Sequence, residues 1–184
     1  MRLFFALPLP LVVRQELAAL RRELGKARWV PAAQLHVTLR FLGEVDDPQA
    51  ARVIEAVQEE RERAPWALPA LSARGVGTFG GRKPRVLFAH LAPPAPVEAI
   101  AAALERAVVR AGIAPEARAF SAHITLARLA RPDLARVEAL LRDAASFESA
   151  PFDVEEVILY RSTLTPSGAV HEPLQRFAIR SGAE

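Results

Sequence analysis

The chain of 184 residues contains no cysteine and no asparagine, a single methionine and a single tyrosine. The lack of cysteine excludes disulfide frameworks, thiolate zinc sites, iron–sulfur clusters and thiol catalysis. It suits a reducing compartment, and a cytoplasmic location is expected. Lysine is almost absent: Lys26 and Lys83 stand against 22 arginines. Lysine and asparagine share A-rich codons, so codon bias explains the depletion better than thermophily, which also disfavours Asn, Cys and Met. No apolar run reaches eighteen residues, so no membrane-spanning helix is expected and no membrane partner. There is also no Gly-x-x-x-x-Gly-Lys-Ser/Thr loop to cradle a nucleoside triphosphate.

What is present is ordinary globular composition, 51% hydrophobic and 24% charged, in a length that suits one domain over residues 1–184. The net charge is only +3, yet the arginines carry the isoelectric point to about 10.1. Arginine stays charged and grips phosphate with a two-pronged fork, so the balance permits a nucleic-acid partner without requiring one. The first residues superficially resemble a secretory leader. Pro8 and Pro10 interrupt the apolar stretch, and Leu3–Leu7 reads instead as a buried strand.

Four segments carry an apolar stripe of helical period: Leu11–Leu24, Pro48–Arg61, Pro96–Arg110 and Pro132–Asp143. Pro48, Pro96 and Pro132 suit first helical turns, and Gly25 and Gly112 suit the position just past a helix. Strand-like runs cover Leu35–Leu42, Ala67–Phe79, Arg85–Leu91, Phe120–Leu129, Phe152–Leu164 and Val170–Ile179. Thr165-Pro166-Ser167-Gly168 reads as a hairpin turn. The order strand, helix, strand, helix, hairpin is followed by helix, strand, helix, hairpin.

The halves repeat. Gly25 and Gly112 lie 87 residues apart, and so do His36 and His123. The text is Leu35-His36-Val37-Thr38-Leu39 in one half and Ala122-His123-Ile124-Thr125-Leu126 in the other. A shared offset at two landmarks implies an internal duplication. The expected fold is therefore α/β (α+β): two pseudo-twofold-related lobes around a central cleft. Each lobe would have an antiparallel-rich sheet and two helices, with the join at the Pro-rich seam near residues 92–96.

On a strand, His36 and Thr38 share one face while Val37 and Leu39 share the other, and the second copy behaves alike. Two such strands would set two imidazoles and two hydroxyls across a groove. One neutral imidazole can take a proton from an attacking oxygen, and one imidazolium can give a proton to a leaving oxygen. The Thr hydroxyls can donate to non-bridging phosphate oxygens. Arg128 lies five residues after His123, so it needs a bulge or a strand end to join that face. Two His with no Cys and no fixed carboxylate make a poor metal set, and no metal or other cofactor is expected. His90 and His171 read as surface or structural residues, and Trp29 and Phe41 as core. The Arg82-Lys83 and Arg85 cluster reads equally well as a grip on RNA phosphates or as a solvated loop.

The chain resembles the 2H phosphoesterases, and among them the bacterial and archaeal RNA 2′,3′-cyclic phosphodiesterases, also called 2′-5′ RNA ligases. The resemblance rests on Arg2-Leu3-Phe4-Phe5-Ala6-Leu7-Pro8, Trp29-Val30, His36-Val37-Thr38-Leu39-Arg40-Phe41-Leu42-Gly43, His123-Ile124-Thr125-Leu126-Ala127-Arg128, and Leu159-Tyr160-Arg161-Ser162-Thr163-Leu164 with Gly168. It implies a two-lobed fold and metal-free hydrolysis of RNA 2′,3′-cyclic phosphate ends to 2′-phosphates, by a monomer, with a reversible 2′-5′ ligation beside it. His36 would be the proton donor to O3′ and His123 the base for water; Thr38, Thr125 and Arg128 would hold the phosphate. His171 stands where the family often has Tyr. The alternatives are a phosphodiesterase for other cyclic nucleotides or 2′-5′ oligonucleotides, and a catalytically idle RNA-binding module.

Overall fold

The computed structural model describes residues 1–166 and 168–181. Two four-stranded antiparallel sheets dominate it. The first has the order β3-β1-β8-β9, from β1 (Arg2–Pro8), β3 (His36–Glu44), β8 (Glu156–Thr165) and β9 (Gly168–Ala178). The second has the order β2-β7-β6-β5, from β2 (Gly25–Trp29), β5 (Ser72–Phe79), β6 (Val86–Ala92) and β7 (His123–Pro132). A short parallel pair joins β4 (Ala67–Leu68) to β10 (Arg180–Ser181). Among the described residues no helix is long and apolar enough to cross a membrane.

The four helices are α1 (Leu11–Ala18), α2 (Asp47–Arg63), α3 (Pro94–Arg110) and α4 (Leu134–Asp143). Asp46 caps α2 by accepting from the Gln49 amide at 2.7 Å, and Pro48 sits in its first turn as expected. Pro132 instead ends β7. Asp133 behind it caps α4, accepting from the Arg136 amide at 3.2 Å. Gly112, with φ of +90°, follows α3 as the periodicity predicts.

Gly25 departs from its expectation. α1 stops at Ala18, and Gly25 opens β2 with φ of +79°, where a Cβ would lie 2.8 Å from the Asp133 amide nitrogen. It is a glycine for close strand approach, not a helix terminus. The sheets also cut across the halves of the chain. The first combines β1 and β3 from before the Pro-rich seam with β8 and β9 from after it; the second takes β2, β5 and β6 from before and β7 from after. The seam itself is the entry to α3. Ser167 of the expected β8–β9 turn lies outside the described residues, while Thr165 pairs with Gly168 across it.

The apolar faces of both sheets close on a single core that includes Phe5, Leu7, Val37, Leu39, Leu87, Ile124, Leu126 and Phe177. Arg40 and Glu60 are charged exceptions. Arg40 is 8% exposed and ties β3 to Glu105 of α3 and to the Ala114 carbonyl, in the segment after that helix, at 2.6 Å. Glu60 on α2 is buried against Arg106 at 2.8 Å and Arg110 at 2.7 Å on α3. The two guanidiniums, Arg110 foremost, hold its carboxyl below the usual range against the opposing effect of burial.

Candidate active site

His36 and His123 are each the first residue of their strand, and the strands β3 and β7 lie in contact. From these residues onward, burial follows one pattern in both copies. Val37 and Leu39 turn inward in one, Ile124 and Leu126 in the other, while the His and Thr of each copy are half-buried on the opposite face.

The alternation then slips in both strands. Between the Phe5–Arg40 and Ala6–Thr38 pairs, β3 carries Leu39 as an extra residue; β7 carries Leu126 in the same place, between the Leu87–Ala127 and Phe88–Thr125 pairs. These are β-bulges. They bury Arg40 and Ala127 and turn Phe41 and Arg128 outward. The condition for Arg128 to join the His123 face is met. Phe41, expected in the core, is 53% exposed.

Each imidazole is held in the same manner. His36 Nδ1 lies 2.7 Å from the Gln34 carbonyl oxygen, and His123 Nδ1 lies 2.7 Å from that of Ser121. A carbonyl only accepts, so both rings carry a proton on Nδ1 and leave Nε2 for chemistry. The Nε2 of His36 is 2.9 Å from Thr38 Oγ1. Each ring also leans on a buried phenylalanine of the neighbouring strand: His36 on Phe4, centroids 5.2 Å apart, and His123 on Phe88 at 5.5 Å. Gly77 on β5 makes room for Phe88, since a Cβ there would lie 2.9 Å from the ring.

A cavity of about 340 Å³ opens where the motifs meet, lined by His36, Thr38, Phe41, Thr125, Arg128, Gln34, Ser162 and His171 among others. His123 does not line it directly. It shares a face with Thr125 and is near enough for its charge to act on His36. Burial, foremost, and the neighbouring His171 and His123 lower the His36 pKa below the ordinary imidazole value; the bond to the Gln34 carbonyl opposes them. A second cavity of about 410 Å³ lies beyond His36 and His171, bordered by Arg14, Tyr160 and Val170.

The other two histidines are not remote. His171 lines both cavities, and its ring is 5.6 Å from that of His36, edge to face; burial lowers its pKa. His90 is the direct cross-strand neighbour of His123. Both positions are set by strand pairing, which local sequence does not reveal. Trp29 packs against the core as expected, its Nε1 donating to the Arg22 carbonyl at 3.1 Å. Arg82, Lys83 and Arg85 are exposed on the β5–β6 turn. No group of three or more metal-ligating side chains occurs among the described residues.

Two antiparallel sheets that each bring a His-x-Thr strand to one cleft have the LigT-like 2H phosphoesterase fold. A solved structure from Thermus thermophilus is similar over 100% of both chains, with a TM-score of 0.73 at 28% identity. Escherichia coli LigT in its apo form gives 0.73 at 26% identity over 97% of this chain and 96% of that one. The same protein complexed with 3′-AMP gives 0.71 at 28% identity over 97% of both.

Residues 9–165 match the model of the 2′-5′ RNA ligase superfamily, and the chain belongs to that family. Among its relatives, an RNA 2′,3′-cyclic phosphodiesterase of Thermus thermophilus is 34% identical over 98% of this chain and 91% of its own length. One from Aquifex aeolicus is 29% identical over 83% and 81%, and one from Archaeoglobus fulgidus 29% over 96% and 99%.

Proposed function

We propose that residues 1–184 work as one cytoplasmic unit, a metal-independent and cofactor-free phosphodiesterase, monomeric in action, that opens 2′,3′-cyclic phosphate ends of RNA to 2′-phosphomonoesters. The observation that carries this reading is the matched anchoring of the two imidazoles. Each gives its Nδ1 proton to a carbonyl two residues back, which leaves Nε2 as the nitrogen available for proton transfer. The names of the relatives support the substrate, and the complex of E. coli LigT with 3′-AMP supports a nucleotide as its chemical class.

In this reading a water attacks phosphorus opposite O3′. His123 Nε2 takes the water proton, the P–O3′ bond breaks, and the protonated Nε2 of His36 delivers its proton to O3′. Thr38, Thr125 and Arg128 hold the non-bridging oxygens as charge grows on them. A fork of guanidinium donors suits that oxygen pair. The same forward step with a 5′-hydroxyl in place of water, its proton passing to His123 as P–O3′ breaks and His36 protonates O3′, would leave a 2′-5′ phosphodiester, which is the ligation the family name records; its reversal would cleave that bond and restore the cyclic end.

The test is turnover in the presence of a chelator, with three substrates: a cyclic-phosphate-ended oligonucleotide, mononucleotide 2′,3′-cyclic phosphates, and 2′-5′-linked dimers. Phosphorus NMR of the product then locates the monoester. The expected result is hydrolysis of the cyclic ends with phosphate left on O2′. A 3′-phosphate would refute the assigned roles of His36 and His123. Preferred cleavage of 2′-5′ dimers or of other cyclic nucleotides would move the substrate class, and RNA binding without turnover would leave an idle module.

A further inference from the structure

The second sheet carries no carboxylate. None of β2, β5, β6 or β7 contains Asp or Glu. On the first sheet, by contrast, Glu44, Glu156 and Glu172 each pair with an arginine. On the edge ribbon of the second sheet, like charges face one another. Arg28 of β2 is directly opposite Arg128 of β7, and Lys26 is directly opposite Arg131.

Directly opposed residues of an antiparallel pair share a face, and like charges there are destabilising. All four side chains are exposed, and none has an ion-pair or hydrogen-bond partner among the described residues. The bulge in the ribbon falls on β7, between Leu129 and Arg131, so β2 stays regular and keeps Lys26 on the face of Arg28. That face is the cleft face, because Arg128 lines the cavity. Two cation pairs thus lead out of the site in single file, roughly 7 Å apart along the strand. A row of charge that the protein leaves uncompensated is complementary to a regularly spaced polyanion.

We infer that the β2–β7 ribbon is the track for the single-stranded RNA upstream of its cyclic end, with Arg28 on the first phosphodiester beyond the site and Lys26 with Arg131 on the next. This rests on the reading of the cleft as the cyclic-phosphate site. It adds the direction in which the strand leaves, across the His123 sheet, and a substrate longer than a mononucleotide.

The test compares wild type, the double variant Lys26→Gln/Arg28→Gln, and a control of equal charge change, Arg52→Gln/Arg142→Gln, on the exposed sides of α2 and α4. The probe is a 5′-fluorescein hexanucleotide RNA with a 3′-terminal phosphate, titrated by anisotropy at several salt concentrations. The ribbon variant should bind about tenfold more weakly, and the slope of log K against log salt should fall by about 1.4, two contacts at 0.7 each. The preference in kcat/KM for a cyclic-ended hexanucleotide over the cyclic mononucleotide should fall by a similar factor. The melting temperature of the ribbon variant should not fall, since neutralisation relieves repulsion.

Equal binding by the ribbon variant and the helix control would overturn the inference, as would a lower melting temperature. Wild type that binds through the ribbon but opens no cyclic phosphate would leave the track standing and overturn the proposed function. Wild type that opens mononucleotide and hexanucleotide equally well, with the ribbon variant binding like the control, would do the reverse.

Discussion

Phe41 and Arg128 are counterparts: each stands five residues after its histidine, and each is turned into the cleft by a bulge three residues after that histidine. The duplicated strand therefore offers a cation on one side and an aromatic ring on the other. Only the cation can meet phosphate oxygens. Arg128→Ala should lower kcat by about 10²–10³-fold, the usual cost of one donor to a developing oxyanion. Phe41→Ala should act mainly on KM, by about 1–3 kcal/mol if a base rests on the ring. Steady-state kinetics on a cyclic-ended oligonucleotide separates the two. A kcat effect of Phe41→Ala equal to that of Arg128→Ala would contradict the division.

The pH dependence follows from burial. His36 is assigned as the acid and must be protonated, yet its burial in the cleft lowers its pKa below 6.5. Activity governed by that group is lost as pH rises through its pKa. The alkaline limb of kcat/KM, which reports the free enzyme, should therefore lie on the acid side of an ordinary histidine. A bound phosphate monoanion favours imidazolium, so the corresponding limb of kcat should lie at higher pH. The limbs belong to the interacting pair, and His171→Phe should move the kcat/KM limb upward by removing one like charge. Coincident limbs for kcat and kcat/KM would contradict this.

Stability has its own acid limb. The Glu60 carboxyl is held below the usual range by Arg110 and Arg106. Its contribution is complete above the unfolded carboxylate pKa near 4.5 and is lost as pH falls through the lower folded value. Glu60→Gln should cost about 1–3 kcal/mol at neutral pH. Thermal melts between pH 7 and 3 should show a gap between wild type and variant that closes on acidification. A constant gap would contradict the ionic account.

Gly77 tests the support behind His123. Its substitution by Ala would place a methyl 2.9 Å from the Phe88 ring and 3.2 Å from His90 Nε2. Phe88 must shift, and His123 rests on Phe88. Gly77→Ala should lower kcat several-fold with little change in KM, and Gly77→Ala/Phe88→Leu should recover part of it. A change in melting temperature alone would assign Gly77 to the sheet and not to the site.

Much of the site is legible in the sequence because its signal is local. The period-2 alternation around both histidines places His and Thr on one face, and the odd spacing to Arg128 says that it joins them only through a bulge or a strand end; the strand pairing decides for the bulge. The three longer helices are legible from their apolar stripes. What escapes is set by partners distant in sequence. β2 reads Gly-Lys-Ala-Arg-Trp, too short and too polar to announce itself, and only its pairing with β7 makes it a strand. Phe41 reads as core because its neighbours Leu39 and Leu42 are core; the bulge alone turns it outward. His171 reaches the cleft because β9 returns along β8 beside β1, a neighbourhood that no window of residues contains. The carbonyls of Gln34 and Ser121 lie two residues before each histidine, but backbone acceptors leave no mark in side-chain identity.

The most direct measurement is single-turnover hydrolysis of a cyclic-phosphate-ended RNA by His36→Ala, His123→Ala and the double variant, each checked for native circular dichroism. Each single variant should be slower by about 10²–10⁴-fold. The double variant should be far less impaired than the product of the two losses, because the pair acts as a unit. Near-wild-type turnover by either folded single variant would contradict the account.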